Sequence, residues 1–323
     1  MKIYDGFILS SELDILELRL EFLYDHVDYF VLVESAQAIS GIRKPLHYKN
    51  NEARFKKYQD KIIHIVAPDR PGFGPWDYEY FQRDYIKEGL KNCSDDDLVL
   101  ISDVDEIVNL PLILKNHNPE QPVIIDLPIY SYFFNLKSNY TLAQNLLARY
   151  KYIRNVHLGC RLPDYHTRFK NVLSSRKLHT GWHFNNLFGL QTDKYTEKLK
   201  TYSHQEYNTP YYLNEKRINN CIRLGIDLFE RGSLVLSFKD EKKELAELYP
   251  YIEKLNLQRY ILDKKSRSSM NMKDFLLLTR KKYLPVFKFK LKKLFANIAM
   301  NPARKVWYLV KKRRPVLNSN TYE

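Results

Sequence analysis

Nine residues, Leu98 to Glu106 (LVLISDVDE), constrain this chain more than any other stretch. Leu98-Val99-Leu100-Ile101 is a continuous apolar run with β-branched members, preceded by Asp95, Asp96 and Asp97. Such a run predicts a strand buried on both faces, as inside a parallel sheet. Its carboxyl end delivers Asp103, Asp105 and Glu106, and ligands of open α/β sheets bind at the carboxyl ends of strands. A carboxylate triplet in that place has two readings. One is a solvated acidic turn. The other is a hard-cation site: Asp103 and Asp105 are two apart, so an extended chain points them the same way, and Mg²⁺ and Mn²⁺ prefer carboxylates combined with substrate phosphates. Like charges crowded at the end of a buried strand repel one another, and a divalent ion relieves that repulsion. The second reading leads.

The chain has 323 residues, 44% of them hydrophobic, enough for one large or two modest domains with a real core. Its charge is uneven. Residues 264–323 carry 17 Lys and Arg against 2 Asp and Glu, while residues 1–263 hold the other 35 basic and 36 acidic side chains. A neutral body with a cationic tail is not the pattern of a nucleic-acid-binding domain, which is basic throughout its contact face. The body, 1–263, is expected to be the catalytic domain and 264–323 a separate basic helical tail. Pro285 can start a helix with Phe287, Leu291, Leu294, Phe295 and Ile298 on one face and Lys288, Lys292 and Lys293 opposite. Asn301-Pro302 can start a second, leading to Val306, Trp307, Val310 and the run Lys311-Lys312-Arg313-Arg314. Basic amphipathic helices with aromatic anchors suit an anionic membrane surface. The opening MKIYDGFILSSELDILELRL has charges throughout and no apolar core of a signal peptide. No stretch of eighteen apolar residues occurs. Cys93, Cys160 and Cys221 are odd in number and widely spaced, without a disulfide framework. The expected place is a cytoplasmic one, peripheral on the inner membrane face.

Strands are expected at Lys2–Ile8, Asp28–Glu34, Lys61–Ala67, Leu98–Ser102, Pro122–Tyr132 and Tyr150–Arg154. A helix capped by Ser10 or Ser11 should run to Leu23 on the spacing of Leu13, Leu16, Leu20 and Leu23. Further helices are expected at Asn51–Tyr58, from Trp76 or Asp77 onward, at Leu110–His117, over 214–231 with a break at Gly225, and over Asp240–Leu257. The strand–helix alternation predicts an α/β fold with a mainly parallel central sheet. Glu34 ends its strand at the same sheet edge as Asp103, which makes it a candidate nucleotide-facing carboxylate. Glu79, Gln82 and Arg83 fall at i, i+3 and i+4 and share a helix face. An arginine there matches phosphate oxygens bidentately, or simply pairs with Glu79. His183, in Gly181-Trp182-His183, and His204, in Ser203-His204-Gln205-Glu206, are structural histidines or ligands.

Eight segments taken together carry a family resemblance. They are YDGFILSSELDILELRL (4–20), VDYFVLVES (27–35), Gly41 with Lys44-Pro45-Leu46, WDYEYFQRD (76–84), LVLISDVDEI (98–107), GWHF (181–184), KLKTYSHQEYN (198–208) and IRLGIDLFER (222–231). In order and spacing over residues 1–235 the chain resembles glycosyltransferase family 17, whose best-known members are the β-1,4-mannosyl-glycoprotein 4-β-N-acetylglucosaminyltransferases. The resemblance implies a GT-A-type, Rossmann-like nucleotide-sugar-binding domain and an inverting enzyme using UDP-GlcNAc with Mn²⁺ or Mg²⁺. It makes Asp103 and Asp105 the D-x-D of the metal site, Arg83 the arginine of the preceding helix, His183 part of the G-W-H piece, and His204 and Glu206 the H-x-E piece. A start almost at the first motif, and the basic tail, set this chain apart from animal members. Both fit a bacterial-type enzyme at a membrane's inner face that builds surface polysaccharide.

The expected chemistry follows. A divalent ion on Asp105 and the diphosphate acts as Lewis acid, Arg83 adds fixed positive charge, and Glu34, Asp103, Glu79, His183 and His204 face the donor. His183 is the expected third metal contact. Inversion needs one general base, for which Glu206 is preferred over Asp164 and Glu106 because its motif piece is distant from the acidic cluster. Two rival classes remain: a nucleotidyltransferase with the same acidic site, and a non-enzymatic membrane or nucleic-acid module driven by the tail.

Overall fold

The computed structural model describes residues 1–116, 120–159, 178–231 and 236–263. The expected basic tail, Asp164, His117 and Cys160 lie outside these residues.

The chain opens with β1 (Ile3–Ile8), α1 (Leu13–Leu23), β2 (Tyr29–Glu34), a 3₁₀ helix (Lys49–Tyr58) and β3 (Ile62–Val66). There follow α2 (Pro75–Asp84), a second 3₁₀ helix (Tyr85–Leu90), β4 (Leu98–Ile101), β5 (Glu106–Val108) and α3 (Leu110–Asn116). Next come β6 (Val123–Ser131), β7 (Leu136–Arg149), α4 (Tyr150–Ile153), β8 (Leu178–His179) and β9 (Gly181–Asn185). The last elements are α5 (Thr192–Thr201), α6 (Glu215–Leu224), β10 (Leu236–Phe238), α7 (Glu241–Glu244) and α8 (Tyr249–Lys254). The strands form one sheet in the order β3-β2-β1-β4-β7-β6-β9-β5, with β10 on β7 and β8 on β6.

The sheet is mixed rather than mainly parallel. β3, β2, β1 and β4 are parallel neighbours, but β7 joins β4 antiparallel and pairs antiparallel with β6. The apolar run of β4 is buried on both faces, as expected: Leu98 and Leu100 pack with Phe7, Leu32 and α1, and Val99 and Ile101 with Val31, Val33, Ile86 and Leu90. Full burial stabilises each such side chain by about 1.5–3 kcal/mol. Gly6 lets the second 3₁₀ helix lie on β1, since a Cβ there would stand 2.6 Å from Ile86 Cγ2.

Three local expectations are corrected, and one strand was not foreseen. Tyr150–Ile153 is helical because the chain turns off β7 there, with the Tyr150 N–H donating to the Asp97 carbonyl at 2.8 Å. The long strand β7 (Leu136–Arg149) is not evident from the sequence, where polar residues and the register shifts of its pairing with β6 break the alternation. Helix α1 starts after Glu12 and has no side-chain cap from Ser10 or Ser11. Asp240–Leu257 forms two short helices, α7 and α8, the second begun by Pro250 in its first turn.

Candidate active site

Strand order places the site. The chain runs from β1 outward to β2 and β3, then returns to β4 on the other side of β1. The direction reverses between β1 and β4, and a crevice opens at the carboxyl ends of such a pair. A cavity of about 410 Å³ lies there. Ser10 and Glu12 line it from beyond β1, and Asp103, Asp105 and Glu106 from beyond β4. Glu79, Gln82 and Arg83 of α2, His183 of β9, Lys198 of α5, and Lys44 complete its charged lining, with Trp76, Tyr202, His204, Phe229 and Arg231 also bordering it.

The acidic segment is a turn, not extended chain. Glu106 N–H donates to the Asp103 carbonyl at 3.0 Å, and Asp103 N–H donates to Glu106 Oε2 at 2.7 Å. Beneath it lies Arg19 of α1, fully buried. Its Nη1 donates to the carbonyls of Asp103 (2.7 Å) and Glu106 (2.8 Å). Nε and Nη2 grip both Asp5 carboxylate oxygens of β1 at 2.7 and 2.5 Å, and Nη2 also reaches Ser102 Oγ at 2.5 Å. One guanidinium thus ties the turn to β1 on the side away from the cavity. Glu106 closes the turn, which accounts for its carboxylate without a role as base.

Pairing of β5 with β9 sets Glu106 opposite His183. Gly181 permits that approach: its φ is +121°, and a Cβ would stand 2.4 Å from the Ile107 carbonyl. The His183 Nε2 then lies 3.8 Å from Asp105 Oδ1, while Lys198 Nζ lies 3.6 Å from Asp105 Oδ2 and 3.1 Å from Glu12 Oε1. Burial pushes the Asp105 carboxyl above the ordinary aspartate range, against the pull of Lys198 and His183. Burial acts on Glu12 in the same sense, yet Lys198 and the Ser11 N–H hold its carboxyl below the usual range. Burial alone would lower the Lys198 ammonium; Glu12 and Asp105 keep it raised. Lys44 is lowered by burial. Arg83, buried, donates to Glu79 at 2.7 Å, to Asp103 Oδ1 at 3.3 Å and to the Gly159 carbonyl at 2.9 Å.

Of the residues expected from sequence, Asp103, Asp105, Arg83, Glu79, His183 and His204 come together around the cavity. Two do not. Glu34 is fully buried one strand away from the reversal point, where its carboxylate accepts from the N–H groups of Tyr48 (3.1 Å) and Lys49 (3.0 Å) and contacts His64 Nε2 at 2.8 Å. It fastens the first 3₁₀ helix and is not part of the cavity lining. Glu206 stands outside the lining, more than half exposed, with Oε1 2.7 Å from His204 Nδ1. Glu12, Lys44, Lys198 and Arg19 were not anticipated as site residues, though all four sit inside motif pieces.

Among the described residues no three His, Cys, Asp or Glu side chains converge to hold an ion unaided. The set fits another kind of metal site. Asp105 is buried at the cavity and, among the described residues, has no side-chain donor closer than the 3.6 Å of Lys198. A hard divalent ion that takes one or two carboxylates and completes its shell with substrate phosphates and water suits such a carboxylate.

Fold and cavity define an α/β protein with a mixed-charge ligand cleft at its topological switch point. Within that class the chain belongs to glycosyltransferase family 17, whose family model matches residues 1–277. Among curated proteins it is similar to β-1,4-mannosyl-glycoprotein 4-β-N-acetylglucosaminyltransferase of Rattus norvegicus, 26% identical over 115 residues, 33% of this chain and 21% of that protein. The Homo sapiens protein of the same name is 26% identical over 115 residues, again 33% of this chain and 22% of its own length. The match therefore spans about a fifth of those relatives. Among solved structures, Francisella tularensis 2-C-methyl-D-erythritol 4-phosphate cytidylyltransferase is 14% identical at a TM-score of 0.32, covering 62% of this chain and 100% of that one. The inositol-1-phosphate CTP transferase from T. maritima is 9% identical at 0.30, covering 58% and 86%. Such scores are too low to fix a fold.

Proposed function

We propose that the protein is an inverting, divalent-metal-dependent glycosyltransferase that moves a sugar, GlcNAc from UDP-GlcNAc, onto a glycan acceptor. Family membership supports the reaction class. The observation that carries the mechanism is the placement of Asp105, Lys198, His183 and Arg83 around one cavity at the carboxyl ends of β1 and β4.

In this reading Asp105 holds the ion, with Asp103 and His183 beside it; when bound, the ion supplies Lewis acidity toward the departing diphosphate. The side chains do the rest. Arg83 is held by Glu79 and Asp103 in a buried position, so its positive charge is set before substrate arrives and needs no reorganisation. Lys198 spans Glu12 and Asp105, a point charge that limits the repulsion between the two carboxylates and attracts phosphate oxygens. Trp76 is 41% exposed at the cavity's border, an apolar plate on which the face of an acceptor sugar can stack. The acceptor is a glycan of a surface polysaccharide, and residues 264–323 hold the enzyme at an anionic, inner membrane face through their excess of lysine and arginine. Among the described residues no helix is long and apolar enough to cross a membrane.

The test is a screen of nucleotide-sugars with Mn²⁺ or Mg²⁺. UDP release from UDP-GlcNAc, abolished by EDTA and by Asp105→Ala with the circular-dichroism spectrum unchanged, is the expected result. Pyrophosphate release would instead mark nucleotidyl transfer, and turnover persisting in EDTA would remove the metal from the mechanism.

A further inference from the structure

The carboxylates bordering the cavity already have partners. Glu12 faces Lys198 at 3.1 Å and accepts from the Ser11 N–H at 2.8 Å. Glu79 and Asp103 share Arg83. Glu106 accepts from the Asp103 N–H, and Asp105, with its nearest cations 3.6 and 3.8 Å away, is the carboxylate that holds the ion in the reading above. A general base needs a lone pair that is open to the acceptor hydroxyl.

His204 differs from all of them. Its ring lines the cavity, and its Nδ1 is 2.7 Å from Glu206 Oε1. The His204 bond holds the Glu206 carboxyl below the ordinary glutamate range, so Glu206 is ionised and can only accept. The proton of neutral His204 therefore sits on Nδ1, and the lone pair on Nε2, for which no hydrogen-bond partner occurs among the described residues. Trp76 meets the ring edge to face at 4.6 Å and 87°, and Tyr202 and Tyr207 lie 5.5 and 6.0 Å away, while the side chain stays 45% exposed. Imidazole orientation by a carboxylate at one nitrogen, with the other presented to substrate, is the arrangement of a general base.

We propose that His204 is the general base of the transfer reaction and that Glu206 is its positioning residue. The assignment rests on the glycosyl-transfer reading above. In the step, the acceptor hydroxyl gives its proton to His204 Nε2 while its oxygen forms a bond to the anomeric carbon. The bond from that carbon to the diphosphate oxygen breaks at the same time, and its electron pair leaves with the nucleoside diphosphate. Glu206 keeps the imidazole in the receiving tautomer and stabilises the imidazolium that forms. The motif pair His204 and Glu206 then acts in reverse of the order its carboxylate suggests: the histidine meets substrate and the glutamate stands behind it.

The experiment uses the full chain, UDP-GlcNAc, Mn²⁺ and a panel of p-nitrophenyl glycosides as acceptors. His204→Gly and His204→Asn should lower the transfer rate by roughly 10²–10⁴-fold, with affinity for UDP unchanged. Added imidazole should restore part of the rate to His204→Gly in proportion to its concentration, which a merely structural histidine would not allow. Glu206→Gln should lower kcat with the donor KM unaltered. His204→Asn retains a donor toward Glu206 and guards against collapse of the pocket. Transfer within tenfold of wild type in either His204 variant, or loss without imidazole rescue, overturns the assignment while UDP binding leaves the glycosyl-transfer reading standing. Failure of the wild-type chain to bind UDP or turn over UDP-GlcNAc overturns both.

Discussion

Replacing Arg19 with methionine tests how the acidic turn is held. Arg19 and Asp5 are both fully buried, and the guanidinium makes five close contacts, two to Asp5, one to Ser102 and one each to the carbonyls of Asp103 and Glu106. Arg19→Met keeps an unbranched apolar stem but removes the guanidinium, and leaves the Asp5 carboxylate without its ion-pair partner in the core. Breaking a buried pair in that way costs about 3–5 kcal/mol, and in a domain of this size that corresponds to a Tm lower by roughly 6–20 °C. The comparison is Asp5→Asn, which breaks the same ion pair but leaves Arg19 able to donate to Asp103 and Glu106. Both variants should be destabilised to a similar degree in urea. At a temperature where each is still folded, Asp5→Asn should keep most of its donor turnover and Arg19→Met should lose most of it, because only the second frees the backbone that aims Asp105. Denaturation midpoints and donor turnover, measured on the same preparations, decide the matter. A destabilisation of Arg19→Met below about 1 kcal/mol, or equal losses of turnover in the two variants, would refute the reasoning.

Two further outcomes are expected. The Glu21 carboxyl, which burial would raise, is brought from 4.5 to about 2 by hydrogen bonds from Lys254, Lys57 and Tyr58. Its folded value lies below its unfolded one, so Glu21 contributes stability that is present above about pH 4.5 and is lost as pH falls toward 2. Both lysines are more than half exposed, so Glu21→Gln should cost only about 1–2 kcal/mol at pH 7 after screening, fading in the acid range; an equal cost at pH 7 and pH 2.5 in urea titrations would contradict this. Trp76→Ala should raise the acceptor KM roughly two- to tenfold, for about 0.5–1.5 kcal/mol of lost stacking, with the donor KM unchanged; a change confined to the donor KM would move the acceptor elsewhere.

The parallel half of the fold was legible because its signals are local. Four apolar residues in a row, bounded by three aspartates before and an acidic turn after, can be little else than a covered strand, and β1, β2 and β3 are likewise rich in apolar and β-branched residues. The antiparallel half was not. β7 spans 14 residues with Lys137, Ser138, Asn139, Asn145 and Arg149 among its apolar members, and its pairing with β6 slips register twice. An interrupted strand of that kind has no two-residue period to find. The family resemblance, read from eight short segments, was confirmed across residues 1–277.

The site shows a different limit. Residue types pointed to Asp105, Arg83 and His183, which do border one cavity, whereas position along a sheet edge pointed to Glu34, which does not. Glu34 and Asp103 both follow buried strands with the same polarity, but β2 lies one strand outside the reversal of strand order and β4 lies on it. Which strands flank that reversal is a property of pairing and cannot be read from any single segment. Lys198 is the converse case. As one of several lysines on a polar helix it has no distinguishing neighbour in sequence, and only the fold sets its ammonium 3.1 Å from Glu12 and 3.6 Å from Asp105. Its burial between two carboxylates, 186 and 93 positions earlier in the chain, turns an ordinary surface residue into part of the cleft's charge balance. Removing that charge by Lys198→Met should therefore weaken UDP binding more than it weakens the fold, since Asp105 and Glu12 would then repel both each other and the incoming diphosphate.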